Sequence, residues 1–143
     1  KVAQRFGVKP KVAMLSFSNF GTSGEMRTDR IEEAIEIARS LEPGLVIDGP
    51  MQADTALIEE IQENYPFMEF DGPANILICP NLASANIAYK LLQRVAGAEM
   101  TGPILEGLAK PAHVLQRDDS VREVVHMAAI CAVDAQRHAT QKL

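Results

Sequence analysis

The chain has 143 residues, 47% of them hydrophobic and 23% charged, with a net charge of −5. That is enough for one domain, too apolar for a disordered segment, and without the Lys/Arg cluster that marks a nucleic-acid binder. No apolar run approaches the roughly 20 residues needed to span a bilayer.

Lys1 to Gly7 read as the last turns of a helix, with Gly7 as its stop. That opening suggests a piece of a longer polypeptide. Val12 to Phe17 is an apolar strand, followed by a polar, Gly-containing loop from Ser18 to Met26. Thr28 can cap a helix running to about Leu41, with Ile31, Ala34, Ile35, Ala38 and Leu41 on one face. Glu42-Pro43-Gly44 breaks it. Leu45 to Ile47 is a short buried strand. Asp54 can cap the next helix, whose apolar face is Leu57, Ile58 and Ile61, and Tyr65-Pro66 ends it. Ala74 to Cys79 is the third strand, closed by Pro80. Ser84 can cap a helix through Val95, with Ile87, Ala88, Leu91, Leu92 and Val95 on its apolar face. Met100 to Leu115 is ambiguous, since Ile104-Leu105 and His113-Val114-Leu115 can each form a short strand. The last helix runs from about Ser120 to Gln141, with a wide apolar face.

Strands alternating with helices imply an α/β fold, a parallel or mostly parallel sheet flanked by helices in three layers. Residues 1–115 belong to that domain. Residues 116–143 form a C-terminal helix expected to pack on a neighbouring subdomain. Cys79 and Cys131 both lie in apolar runs, as buried reduced thiols do, and this points to the cytoplasm.

The loops after the strands carry Ser, Asn, Asp, Gln and Gly. In a parallel sheet they emerge on one edge, where open α/β sheets bind ligands. Gly-x-Gly-x-x-Gly, the P-loop and the Gly-x-Ser-x-Gly elbow are all absent. His113, His126 and His138 have no ligand-like spacing, so no metal site is expected. The candidate ligand-binding residues are Ser18, Asn19, Asp48, Asn81, Asn86 and Arg117. Ser18 to Gly24 can wrap an anion with hydroxyls and N–H groups, or be a solvated connection. Asp48 stands at a strand tip. Asn81 and Asn86 can orient a ligand or fasten their own loops. Arg117 can grip phosphate with its planar fork, or pair with Asp118 or Asp119. Ser120-Val121-Arg122-Glu123 matches a capping box.

Several segments together resemble the C-terminal half of the phosphate acetyltransferase (phosphotransacetylase) family. They are Met14 to Ser18, Val46 to Asp54, Ala74 to Ile78 with Pro80-Asn81-Leu82, Asn86 to Arg94, and Gly102 to Pro111. Ser18-Asn19-Phe20-Gly21 and Asp71 to Asn75 look like the phosphotransacetylase-like C-terminal domain of bacterial hybrid NADP-dependent malic enzymes. Active members tend to carry Thr-Lys-Gly in the first loop and Lys where Pro73 stands.

The resemblance implies a phosphotransacetylase-like fold and an expected site around Arg117. There the active family has Asp-Leu-Ser-Arg-Gly and a later Asp. Arg117 is kept, but Gln116 replaces the Ser that assists the leaving thiolate. Glu123 replaces the Asp proposed as base, and Asp118 replaces Gly, with a charge that opposes a phosphate beside Arg117. Gln116 and Glu123 are therefore degenerate positions and no catalytic residue is expected.

On this resemblance the chain is a regulatory domain with acetyl-CoA as effector and no cofactor of its own. Acetyl-CoA would bind between parts of the domain or at its dimer interface. A malic-enzyme domain that converts malate to pyruvate with NADP and Mg or Mn would lie upstream, and the protein would be a homo-oligomer. The alternative is an active phosphate acetyltransferase.

Overall fold

The computed structural model describes residues 2–21 and 26–140. Its elements are α1 (Val2–Arg5), β1 (Lys11–Leu15), α2 (Met26–Leu41), β2 (Val46–Met51), α3 (Ala53–Leu57), α4 (Glu59–Gln62), β3 (Ile76–Ile78), α5 (Leu82–Val95) and α6 (Val121–Thr140). The chain forms two compact units, one up to Tyr89 and one from Lys90 on.

In the first unit three strands make a parallel sheet in the order β2-β1-β3. Alternation along β1 sends successive side chains to opposite faces. Val12 packs with Ile47 and with Ile31, Ile35 and Ala38 of α2 on one face. Ala13 packs with Met51, Ala56 of α3, Phe70 and Ala74 on the other. Helices on both faces give the three-layer α/β arrangement that the alternating pattern predicts.

Ile47 and Met51 face opposite sides although they are four residues apart. The register supplies the reason: Ala13 pairs with Asp48, but Leu15 pairs with Met51. One extra residue in β2 makes a bulge and reverses the facing. Gly49 sits in it at φ 138, where a Cβ would stand 2.5 Å from the carbonyl oxygen of Met14. Only glycine fits there. Pro50 follows, fully buried, on a strand that among the described residues pairs with β1 alone, where its missing N–H costs nothing. Arg39 of α2 donates to the carbonyl of Ile47 at 2.9 Å, closing part of that edge.

Several sequence expectations are corrected. β2 runs on to Met51 instead of stopping at Ile47, because the bulge absorbs Gly49 and Pro50. The helix expected from Asp54 is two short ones, with Ile58 extended between them. Gln52 holds the N-cap position of α3 and Asp54 lies in its first turn. α5 is capped by Asn81, whose Oδ1 accepts the N–H of Ser84 at 2.9 Å, so it begins before Ser84. α2 begins at Met26, ahead of Thr28. Neither candidate strand between Met100 and Leu115 forms.

Other expectations hold. At Gly7 (φ 71) the N–H of Val8 reaches Ala3 and that of Gly7 reaches Gln4, a Schellman stop. α2 ends at Leu41 and α5 at Val95.

In the second unit α6 is tied to the preceding irregular segment. His113, nearly buried, accepts the N–H of Leu105 at Nδ1 (3.2 Å) and turns Nε2 toward Asp134 at 3.4 Å. His138 Nε2 lies 3.1 Å from the carbonyl of Ala109. Met127 is buried, whereas Val121 and Val125 are more than half exposed. Along α5, which begins in the first unit, Ile87, Leu91 and Val95 of the expected apolar face are more than half exposed as well.

Candidate functional site

Parallel strands bring the loops after β1 and β2 to the same edge of the sheet, and side-chain amides stitch them together. The N–H of Ser16 donates to Met51 O at 2.8 Å and that of Phe20 to Pro50 O at 2.6 Å. Asn19 Oδ1 accepts the N–H of Gln52 at 2.7 Å, while its Nδ2 donates to Gln52 Oε1 at 3.1 Å and Tyr65 OH at 3.0 Å. Gln52 Nε2 closes the circuit on Phe17 O at 2.8 Å. Phe20 adopts φ 47, uncommon for a non-glycine residue, and packs between Tyr65 (5.1 Å) and Phe67 (4.8 Å).

Of the residues singled out by sequence, Ser18 and Asn19 stand at this edge, with Ser18 buried. Thr22, Ser23 and Gly24 lie outside the described residues. Asp48 is 8% exposed; its Oδ1 accepts the N–H of Gly49 and its Oδ2 that of Glu69, both at 2.8 Å. The carboxylate thus fastens the bulge to the segment after Tyr65. Asn81 caps α5, and Asn86 is exposed on that helix. Gln52 and Tyr65 share the Asn19 network, and neither is among the candidate binding residues that the sequence offers. An amide just past a strand was the available signal for Gln52; for Tyr65 there was none.

The other candidates lie in the second unit. Gln116 Oε1 accepts from Lys90 Nζ at 2.9 Å, and its N–H donates to Asp119 Oδ2 at 2.7 Å. Asp118 Oδ2 meets Arg94 Nη2 at 3.0 Å. Both acidic neighbours therefore have other partners, and Arg117 is exposed with no ion pair among the described residues. The charge of Asp118 beside it is offset by Arg94.

Glu123 completes the capping box: Oε2 accepts the N–H of Ser120 at 2.6 Å, and its own N–H donates to Ser120 Oγ at 3.3 Å. The backbone N–H of Ser120 first, and its hydroxyl second, hold the Glu123 carboxyl below its ordinary value. A cavity of about 320 Å³ opens beside it, lined among others by Glu99, Thr101, Ser120, Arg122 and His126. Arg122 and Glu99 bridge at 2.6 Å. Neither Gln116 nor Arg117 lines this cavity.

Among the described residues no three His, Cys, Asp or Glu side chains group so as to hold a metal ion. None of the described helices is long and apolar enough to cross a membrane.

The sequence pattern of the phosphate acetyl/butaryl transferase family matches residues 1–132. The NADP-dependent malic enzyme of Salmonella typhimurium is 45% identical over 139 residues, which is 95% of this chain and 18% of that protein. The phosphate acetyltransferase of Acetivibrio thermocellus is 44% identical over 131 residues, 91% of this chain and 40% of that protein. The crystal structure of a phosphotransacetylase from Streptococcus pyogenes superimposes with a TM-score of 0.84 at 40% identity, covering 94% of this chain and 41% of that one. The chain thus spans less than half the length of these relatives. It belongs to the phosphate acetyl/butaryl transferase family.

Proposed function

We propose that this segment binds acetyl-CoA as a regulatory domain of an NADP-dependent malic enzyme and does not itself transfer the acetyl group. The observation that carries this reading is the commitment of Glu123. Its carboxylate is taken up by the capping box of α6, accepting the N–H of Ser120, which also favours its charged form. A base that activates a thiol must lie within hydrogen-bond reach of it and have a pKa near the working pH. Arg117, by contrast, is exposed and unpaired among the described residues, and so available to an anion.

In this reading the oxidative decarboxylation of malate to pyruvate, with NADP and Mg or Mn, belongs to a part of the polypeptide outside this chain. Acetyl-CoA acts on it through a coupling free energy between two sites. The exposed apolar residues of α5 and α6 support burial of these helices in a larger assembly, a homo-oligomer among them. The test is to titrate acetyl-CoA into the intact polypeptide while following malate-dependent NADP reduction. Saturable inhibition is expected; a rate indifferent to acetyl-CoA at millimolar concentration contradicts the regulatory role.

A second reading, an active phosphate acetyltransferase, is favoured by the 44% identity to enzymes of that name and by the retention of Arg117. Acetyl phosphate formation separates the two.

A further inference from the structure

Arg117 is flanked by two residues that α5 grips. Lys90 and Arg94 stand four residues apart, hence on one face of that helix. Lys90 Nζ bonds Gln116 Oε1 at 2.9 Å and Arg94 Nη2 bonds Asp118 Oδ2 at 3.0 Å. The residues immediately before and after Arg117 are thus both held by α5, while Arg117 has no such tie among the described residues. We propose that Lys90 and Arg94 are positioning residues: they clamp Gln116 and Asp118 and so present the Arg117 guanidinium to an anionic ligand. This rests on the reading of Arg117 as an acetyl-CoA contact.

The clamp gives Asp118 a role opposite to the one its charge suggests. A carboxylate next to an anion site opposes the anion, yet here it anchors the loop and carries its own counter-ion. Both side chains of the Arg94–Asp118 pair are about two-thirds exposed, 67% and 63%. The pair therefore acts with the strength of a surface ion pair.

Two measurements on the intact polypeptide test the proposal. The first is hydrogen exchange at the backbone amides of residues 116–119 without ligand. Arg94→Gln and Asp118→Asn should each speed exchange there, and Arg94→Lys should restore slow exchange; unchanged exchange in Arg94→Gln overturns the clamp. The second is acetyl-CoA affinity by calorimetry. Each single variant should weaken binding about two- to fivefold, the range an exposed ion pair supports. The double variant should be no weaker than either single one, because both remove the same contact. Tighter binding in Asp118→Asn, with an additive loss in Arg94→Gln, means that Arg94 meets the ligand directly and Asp118 only repels it; the clamp is then wrong. If the unaltered polypeptide binds no acetyl-CoA, the regulatory reading falls and exchange alone judges the clamp.

Discussion

The Oε2 atom of Glu123 accepts the backbone N–H of Ser120 at 2.6 Å, so the residue in the position of the expected base closes the first turn of α6. The folded-state pKa of Glu123 is depressed. Its contribution to stability is therefore complete above the ordinary glutamate value of about 4.3 and is lost as pH falls through the lower folded value. Glu123→Gln preserves the capping geometry but does not titrate. It should flatten the acid limb of a thermal-stability profile below about pH 4.3, and at pH 7 it should lack the stability that the ionised carboxylate contributes there. Ser120→Ala should cost about 0.5–2 kcal/mol at pH 7 in denaturant unfolding.

Arg117→Ala should weaken acetyl-CoA binding roughly 10- to 150-fold, since hydrogen bonds between charged groups contribute about 1.5–3 kcal/mol each. It should relieve inhibition of malate oxidation and leave the uninhibited rate unchanged. Arg117→Lys should restore little, because a point charge does not replace the planar fork. Calorimetry with parallel malate assays reads both effects.

Asn19 joins the loops after β1 and β2 through both ends of its amide. Asn19→Ala leaves Gln52 and Tyr65 short of partners and should destabilise the fold by about 1–3 kcal/mol. Urea unfolding measures it; a loss below a few tenths of a kcal/mol would show that the stitch is dispensable.

Gly49→Ala places a methyl group 2.5 Å from the carbonyl oxygen of Met14 at a φ that L-residues avoid. The bulge must then open, at a cost of about 1–3 kcal/mol or more. Gly44, with open space around its would-be Cβ, is the control: Gly44→Ala should change the unfolding midpoint far less.

The sheet and most helices were legible because their apolar periods are strong. Of the row Ile31, Ala34, Ile35, Ala38 and Leu41 that spacing puts on one face, Ile31, Ile35 and Ala38 pack on the sheet, while Ala34 and Leu41 are exposed; the ends of α2 and α5 lie where expected. β2 was cut short because Gly49 and Pro50 look like breakers, and only pairing with β1 reveals a bulge. The helix after Asp54 looked continuous because Leu57 and Ile58 kept the apolar face across the break. Ser84 has the residue type of a cap, but the geometry gives that place to Asn81, which the sequence offers only as a ligand or loop-fastening residue. The capping box at Ser120 and Glu123 was readable because it is local. The partners of Asp118 were not: sequence offered Arg117 beside it, and the fold supplied Arg94 from 24 residues away.

Acetyl-CoA formation from acetyl phosphate and coenzyme A, measured on the intact polypeptide, decides whether the domain binds acetyl-CoA without turning it over. A missing positioned base typically costs about 100- to 10,000-fold in rate. Turnover should lie at least about 100-fold below an ordinary enzyme rate of roughly 10 per second. A rate within tenfold of that value would contradict the regulatory reading and make this chain part of a working phosphate acetyltransferase.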